Sequence, residues 1–98
     1  MRILRSGAYV VLIALDIGNT NITVGVFEEK ELKATWRLAT DARKMSDEYM
    51  LSLMTLLPMK GIQPDQIDSA VICSVVPPLN TVFEDLVKRC FSITPLLI

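Results

Sequence analysis

The passage from Tyr9 to Phe27, YVVLIALDIGNTNITVGVF, limits the fold more than any other part of this chain. Tyr9 to Leu15 is β-branched and aliphatic almost throughout, the pattern of a strand covered on both faces. Asp16 to Asn21 is turn chemistry, a carboxylate and a glycine followed by short polar side chains. From Ile22 the period is two, with Ile22, Val24 and Val26 on one face and Thr23, Gly25 and Phe27 on the other. A buried strand, a tight bend and a half-buried strand make a hairpin inside a sheet.

The remainder extends that sheet. Glu28 to Glu31 reads as a second turn, after which Leu32, Ala34, Trp36 and Leu38 alternate with Lys33, Thr35 and Arg37 in a third strand. Thr40 to Met45 is a polar linker, and Ser46 is placed to cap a helix whose first turn holds Asp47 and Glu48. Tyr49, Leu53, Leu56 and Leu57 form its buried stripe, with Pro58 ending or kinking it and Gly61 closing the turn. Beyond a Pro64-Asp65 loop, Ser69 to Val75 reads as a buried strand, and Pro77-Pro78 opens a second helix. Leu79, Val82, Phe83, Leu86, Val87 and Cys90 recur at helical spacing, and Ile93 to Ile98 begins a fifth strand. The order β-β-β-α-β-α-β describes an α/β fold, a mixed sheet with helices to cover its faces. Nothing follows the fifth strand to cover it, so residues 11–98 are expected to be an incomplete domain and residues 1–10 an extension of it.

Composition narrows the function. Apolar residues are 51% of the chain, enough for a packed core. Ten basic and eleven acidic residues give a net charge of −1 and no positive stripe, which argues against nucleic acid as a partner. There is no histidine, and Cys73 and Cys90 lack metal-ligand spacing, so they are read as buried free thiols in a reducing cytoplasm. The apolar run near the start stops at Asp16 without a cleavage site and is too short to span a bilayer, so no membrane association is expected.

The bend has a chemistry of its own. Asp16 ends a buried strand, where open α/β sheets bind ligands. Gly18 leaves room for backbone amides to converge on an anion, and Asn19, Thr20 and Asn21 add short donors. Thr23 offers a hydroxyl one pleat further on. A carboxylate among phosphate donors calls for a divalent cation between them, and magnesium held by one carboxylate, waters and phosphates fits. The expected ligand is a magnesium nucleotide bound by amides and hydroxyls without a Walker lysine. An ordinary hairpin turn uses the same residue types.

Three stretches carry a more specific signal: DIGNTNITVGVF at 16–27, WRLATDARKMSDEY at 36–49 and ICSVVPPL at 72–79. In order and spacing the chain from Val11 onward resembles the amino-terminal part of type III pantothenate kinases, members of the actin, sugar kinase and Hsp70 ATPase superfamily with a ribonuclease H-like fold. The resemblance implies ATP-dependent phosphorylation of pantothenate to 4'-phosphopantothenate, the first step of coenzyme A biosynthesis. It assigns ATP binding to Asp16, Gly18, Asn19, Thr20, Asn21 and Thr23, with Asp16 orienting magnesium. It also implies a monovalent cation, potassium or ammonium, and a cytoplasmic homodimer. The family's GxDR motif, with the general-base aspartate and pantothenate contacts, falls outside these 98 residues, so no catalytic residue is assigned and the chain alone is expected to be inactive.

A non-catalytic accessory member of the same superfamily is the rival reading, and a folded fragment of purely structural interest is a third. Arg37 and the run from Asp41 to Lys44 are read as solvated charge, Trp36 as core, and Glu48 as a first-turn carboxylate. Ser74 stands near the same sheet edge as the bend without being assigned to it.

Overall fold

The structure, a computed structural model, describes residues 10–98. The expectations about residues 1–9, including Tyr9 in the first strand, lie outside that range. The elements are β1 (Val11–Ile17), β2 (Asn21–Glu28), β3 (Glu31–Ala39), α1 (Ser46–Met59), a 3-10 turn (Pro64–Gln66), β4 (Ser69–Ser74), α2 (Pro77–Phe91) and β5 (Leu96–Leu97). The order is the one read from the sequence. In the sheet the strands lie β3-β2-β1-β4-β5. β1, β2 and β3 form an antiparallel meander, while β4 runs parallel to β1 and β5 parallel to β4. β1 is therefore central, with a ladder on each edge.

Both helices pack on one face of this sheet. Ile13, Leu15, Ile17, Ile22, Val24, Val26 and Ile72 meet Tyr49, Leu53 and Leu57 of α1 and Leu79, Phe83, Leu86 and Val87 of α2 in a single core. The helices touch where the Tyr49 and Phe83 rings lie 4.8 Å apart, tilted by 45°, a favourable aromatic geometry. On β1 only one face is fully buried. Leu12 and Ala14 on the other are half-buried and Asp16 is exposed, so this strand is not covered on both faces as its composition indicates.

Three local readings change with the tertiary structure. A bulge between Val26 and Phe27 pairs Phe27 with Leu32 but Val26 with Ala34, leaving Lys33 as the extra residue. Leu32 is thereby turned to the open face, 51% exposed, while Ala34, Trp36 and Leu38 keep to the core side. Ser46 does not cap α1. The cap position is Met45, whose N–H donates to the Glu48 carboxylate at 3.0 Å, and the Ser46 hydroxyl donates to Asp85 of α2 at 2.7 Å. Cys73 is exposed rather than buried, and Cys90 is half-buried with its thiol pushed up by burial.

At the other end of α1, Pro58 lies inside the last turn and the helix runs on to Met59. Gly61 then adopts the left-handed φ of 72° that closes the turn. The fifth strand is two residues long rather than six.

Arg89 links the helices from outside, 2.7 Å from Asp47 and 3.3 Å from Asp85. The Ser46 hydroxyl first, and Arg89 second, hold the Asp85 carboxyl below its ordinary range. That contribution to stability is present above the unfolded-state pKa and is lost as pH falls through the lower folded-state value. Among the described residues no helix is long and apolar enough to cross a membrane.

Phe83 is wholly buried at the point where the helices meet. Phe83→Ala should lower the unfolding free energy by about 3–5 kcal/mol in urea titration; a loss below about 1 kcal/mol would show that the core does not depend on this contact.

Candidate functional site

Asp16 and Ile17 belong to β1 rather than to the turn, which is confined to Gly18, Asn19 and Thr20. The bend is tight because the Gly18 N–H donates to the Asn21 carbonyl at 2.9 Å. A Cβ on Gly18 would stand 3.0 Å from that same carbonyl oxygen, so a side chain here would force the backbone of the bend apart by a few tenths of an ångström.

Three features make this bend a candidate for anion binding. The Asp16 side chain is exposed at the carboxyl end of β1, on the open face, and makes no hydrogen bond or ion pair among the described residues. In register it stands beside Thr23 of β2 and Cys73 of β4. The N–H groups of Asn19 and Thr20 likewise meet no acceptor among the described residues. Asn19, Thr20 and Asn21 are exposed and Thr23 is half-buried. The structure thus brings all six sequence-predicted residues, Asp16, Gly18, Asn19, Thr20, Asn21 and Thr23, to one rim of the sheet.

The bend is held from behind by a residue that sequence reasoning assigned to a linker. Thr40, just past β3, donates its hydroxyl to the Gly18 carbonyl at 2.8 Å and its N–H to the Thr20 carbonyl at 2.9 Å. Across a trans peptide the C=O and N–H point in opposite directions. Holding the Gly18 carbonyl toward Thr40 therefore turns the Asn19 N–H away from it, toward the outside of the bend. Thr40 is itself anchored, because the next residue is bound to the core. The Tyr49 hydroxyl accepts from the Asp41 N–H at 2.9 Å and donates to the Asp41 carbonyl at 2.8 Å. Arg43 beside it, chiefly through a side-chain hydrogen bond, holds the Asp41 carboxyl below its ordinary range. The signal for this strap was the TD pair opening a polar linker, which only the folded register connects to the bend.

Two neighbours are excluded from the site by their own bonding. The Ser74 hydroxyl is engaged locally with the N–H and carbonyl of Val76, at 3.1 and 3.2 Å. α2 begins at the same rim, but Pro77 and Pro78 have no N–H to offer and the Leu79 N–H is bonded to Val76. A cavity of 220 Å³ lined by Val11, Glu28, Lys33, Lys60 and Ile62 lies at the opposite end of the sheet.

Among the described residues no three metal-ligating side chains come together. Of the described residues a cation here would take Asp16 and complete its shell with water and ligand oxygens. The single free carboxylate, with a hydroxyl beside it, fits magnesium, which retains several waters and binds through one or two carboxylates plus phosphates.

Sheet order, helix placement and the hairpin at the rim define an actin-like ATPase fold. A Thermus thermophilus ROK hexokinase superposes with a TM-score of 0.66 at 13% identity over 90% of this chain and 34% of that one. A Bacteroides thetaiotaomicron protein with an actin-like ATPase fold superposes at 0.64 with 10% identity, over 91% of this chain and 32% of the other. Within that fold the sequence is more specific. The family model for type III pantothenate kinase matches residues 12–98, and the chain belongs to that family. A type III pantothenate kinase of Dehalococcoides mccartyi is 45% identical over 87 residues, 89% of this chain and 34% of the relative. The chain spans about a third of the length of the curated relatives it matches.

Thr40→Val removes the hydroxyl bond to the Gly18 carbonyl and should cost about 1 kcal/mol of unfolding free energy, with Thr40→Ser recovering most of it. Equal urea midpoints for the parent and both variants would remove the strap.

Proposed function

We propose that this chain supplies the first phosphate-binding loop of an enzyme that transfers the terminal phosphoryl group of ATP to pantothenate, forming 4'-phosphopantothenate in the first step of coenzyme A biosynthesis. Membership of the type III pantothenate kinase family supports the reaction. The observation that carries the role of the loop is the pairing, at a braced bend, of an Asp16 carboxylate with Asn19 and Thr20 amides, none of which has a partner among the described residues.

Phosphoryl transfer asks a protein mainly for positioning and charge neutralisation. The Asn19 and Thr20 amides receive phosphate oxygens, and Asn21 and Thr23 flank them with short polar groups. Asp16 holds magnesium, directly or through water, and the ion offsets phosphate charge when bound. Thr40 keeps the Asn19 amide aimed and holds the Thr20 carbonyl behind the bend, so the loop needs little reordering when the nucleotide arrives. Contacts to pantothenate, the group that takes its hydroxyl proton, the monovalent-cation site and most of a homodimer interface come from sequence outside these 98 residues. On this reading residues 11–98 form the amino-terminal part of the ATPase domain of a cytoplasmic enzyme, inactive in isolation.

Isothermal titration of magnesium ATP into the chain should give saturable heat, and Asp16→Ala should weaken binding by about tenfold or more, the order expected for loss of a charged ligand. Identical heats from the two proteins would take Asp16 out of the site.

A further inference from the structure

Across the strands, the rim of the open face carries a row of register partners: Cys73 on β4, Asp16 on β1, Thr23 on β2 and Arg37 on β3. Directly opposed residues share a face of a sheet, so all four side chains stand on the face against which none of the described helices packs. Neighbouring strands lie about 4.8 Å apart, which puts the Arg37 backbone about 10 Å from that of Asp16 with Thr23 between them. Arg37 is exposed. Unlike Arg43 and Arg89, it has no carboxylate partner among the described residues, and it forms no ion pair with Asp16.

We propose that Arg37 is a further binding residue of the phosphate site, its guanidinium contacting the terminal phosphate oxygens of a nucleotide whose metal is held by Asp16. This rests on the nucleotide reading given above. The stretch from Asp16 to Thr23 contains no lysine or arginine. Amides, hydroxyls and one divalent ion leave a triphosphate with uncompensated negative charge. A guanidinium is always charged and offers a planar fork of donors matched to phosphate oxygens.

Arg37 is also well mounted for this task. Its flanking residues Trp36 and Leu38 are packed against the core, and its partner strand β2 continues directly from the bend. Its backbone is therefore held by ladder and packing while the side chain remains free. A phosphate above Thr23 would meet the carboxylate only through the divalent cation on one side and the guanidinium directly on the other.

The test titrates magnesium ATP and magnesium tripolyphosphate separately into the parent chain, Arg37→Ala, Arg37→Lys and Lys60→Ala. Lys60 lies at the opposite end of the sheet and controls for net charge. Arg37→Ala should weaken magnesium ATP and magnesium tripolyphosphate alike by about tenfold, the order for one charge-assisted contact. Arg37→Lys should fall between, because an ammonium keeps the charge without the fork, and Lys60→Ala should match the parent. Melting temperatures should agree across the set, since both side chains are exposed.

Unchanged affinity in Arg37→Ala, an equal loss in Lys60→Ala, or a loss confined to ATP would overturn the role of Arg37 and leave the nucleotide reading standing. Failure of the parent itself to bind ATP and tripolyphosphate would overturn that reading, and Arg37 with it.

Discussion

The structure depends on β1 being fixed on both edges, antiparallel to β2 and parallel to β4. A strand laddered on two sides cannot slide without breaking both ladders. Because side chains alternate, a slip of one residue would exchange its faces. Val11, Ile13, Leu15 and Ile17 would leave the core and Asp16 would enter it, unpaired, at a cost no hydrogen bond in the core would relieve. The burial of the aliphatic residues and the exposure of the carboxylate at the rim are thus one constraint. The position of the bend follows, since β2 must start where β1 ends.

The polar groups at that rim are not used as are the carboxylates that secure the linker and the helices. Asp41, Asp47, Asp85 and Glu48 all have donors, and each secures a local feature: the linker, the helix pair, the start of α1. Among the described residues Asp16 and the Asn19 and Thr20 amides have no partner, as is also true of the Asp65 and Glu84 carboxylates. Free groups on a mobile bend would be ordinary solvated loop. Here the bend is tied through Thr40 and Asp41 to the Tyr49 hydroxyl, on a side chain buried against Phe83. Rigidity is imported from the core to groups with no bonding role inside the fold, the arrangement expected of a preorganised binding loop. Among the described residues, placement of both helices on one face leaves the row from Cys73 to Arg37 uncovered by a helix on the other.

The element order and most core residues were legible because they depend on local periodicity. Ile22, Val24 and Val26 follow a period of two, and Leu79, Phe83, Leu86 and Val87 a helical one, and all are buried. Leu32 was misplaced because a bulge adds a residue without leaving a mark in the hydrophobic alternation. Ser46 has the right chemistry and neighbours for a cap, but Asp85, far away in sequence, competes for its hydroxyl. Cys73 lies in an apolar stretch, yet neither described helix packs on its face of the sheet.

By itself, the sequence determined the strands and helices, the break at Gly18 and the six residues gathered there, since patterning, turn chemistry and short motifs act over a few neighbouring positions. Only the tertiary structure decided which face of the sheet the helices cover, that Thr40 braces the bend and that Arg37 shares a row with Asp16. Those relations arise from register between strands and from contacts across many residues, where geometry follows from how whole elements pack and no local pattern records it.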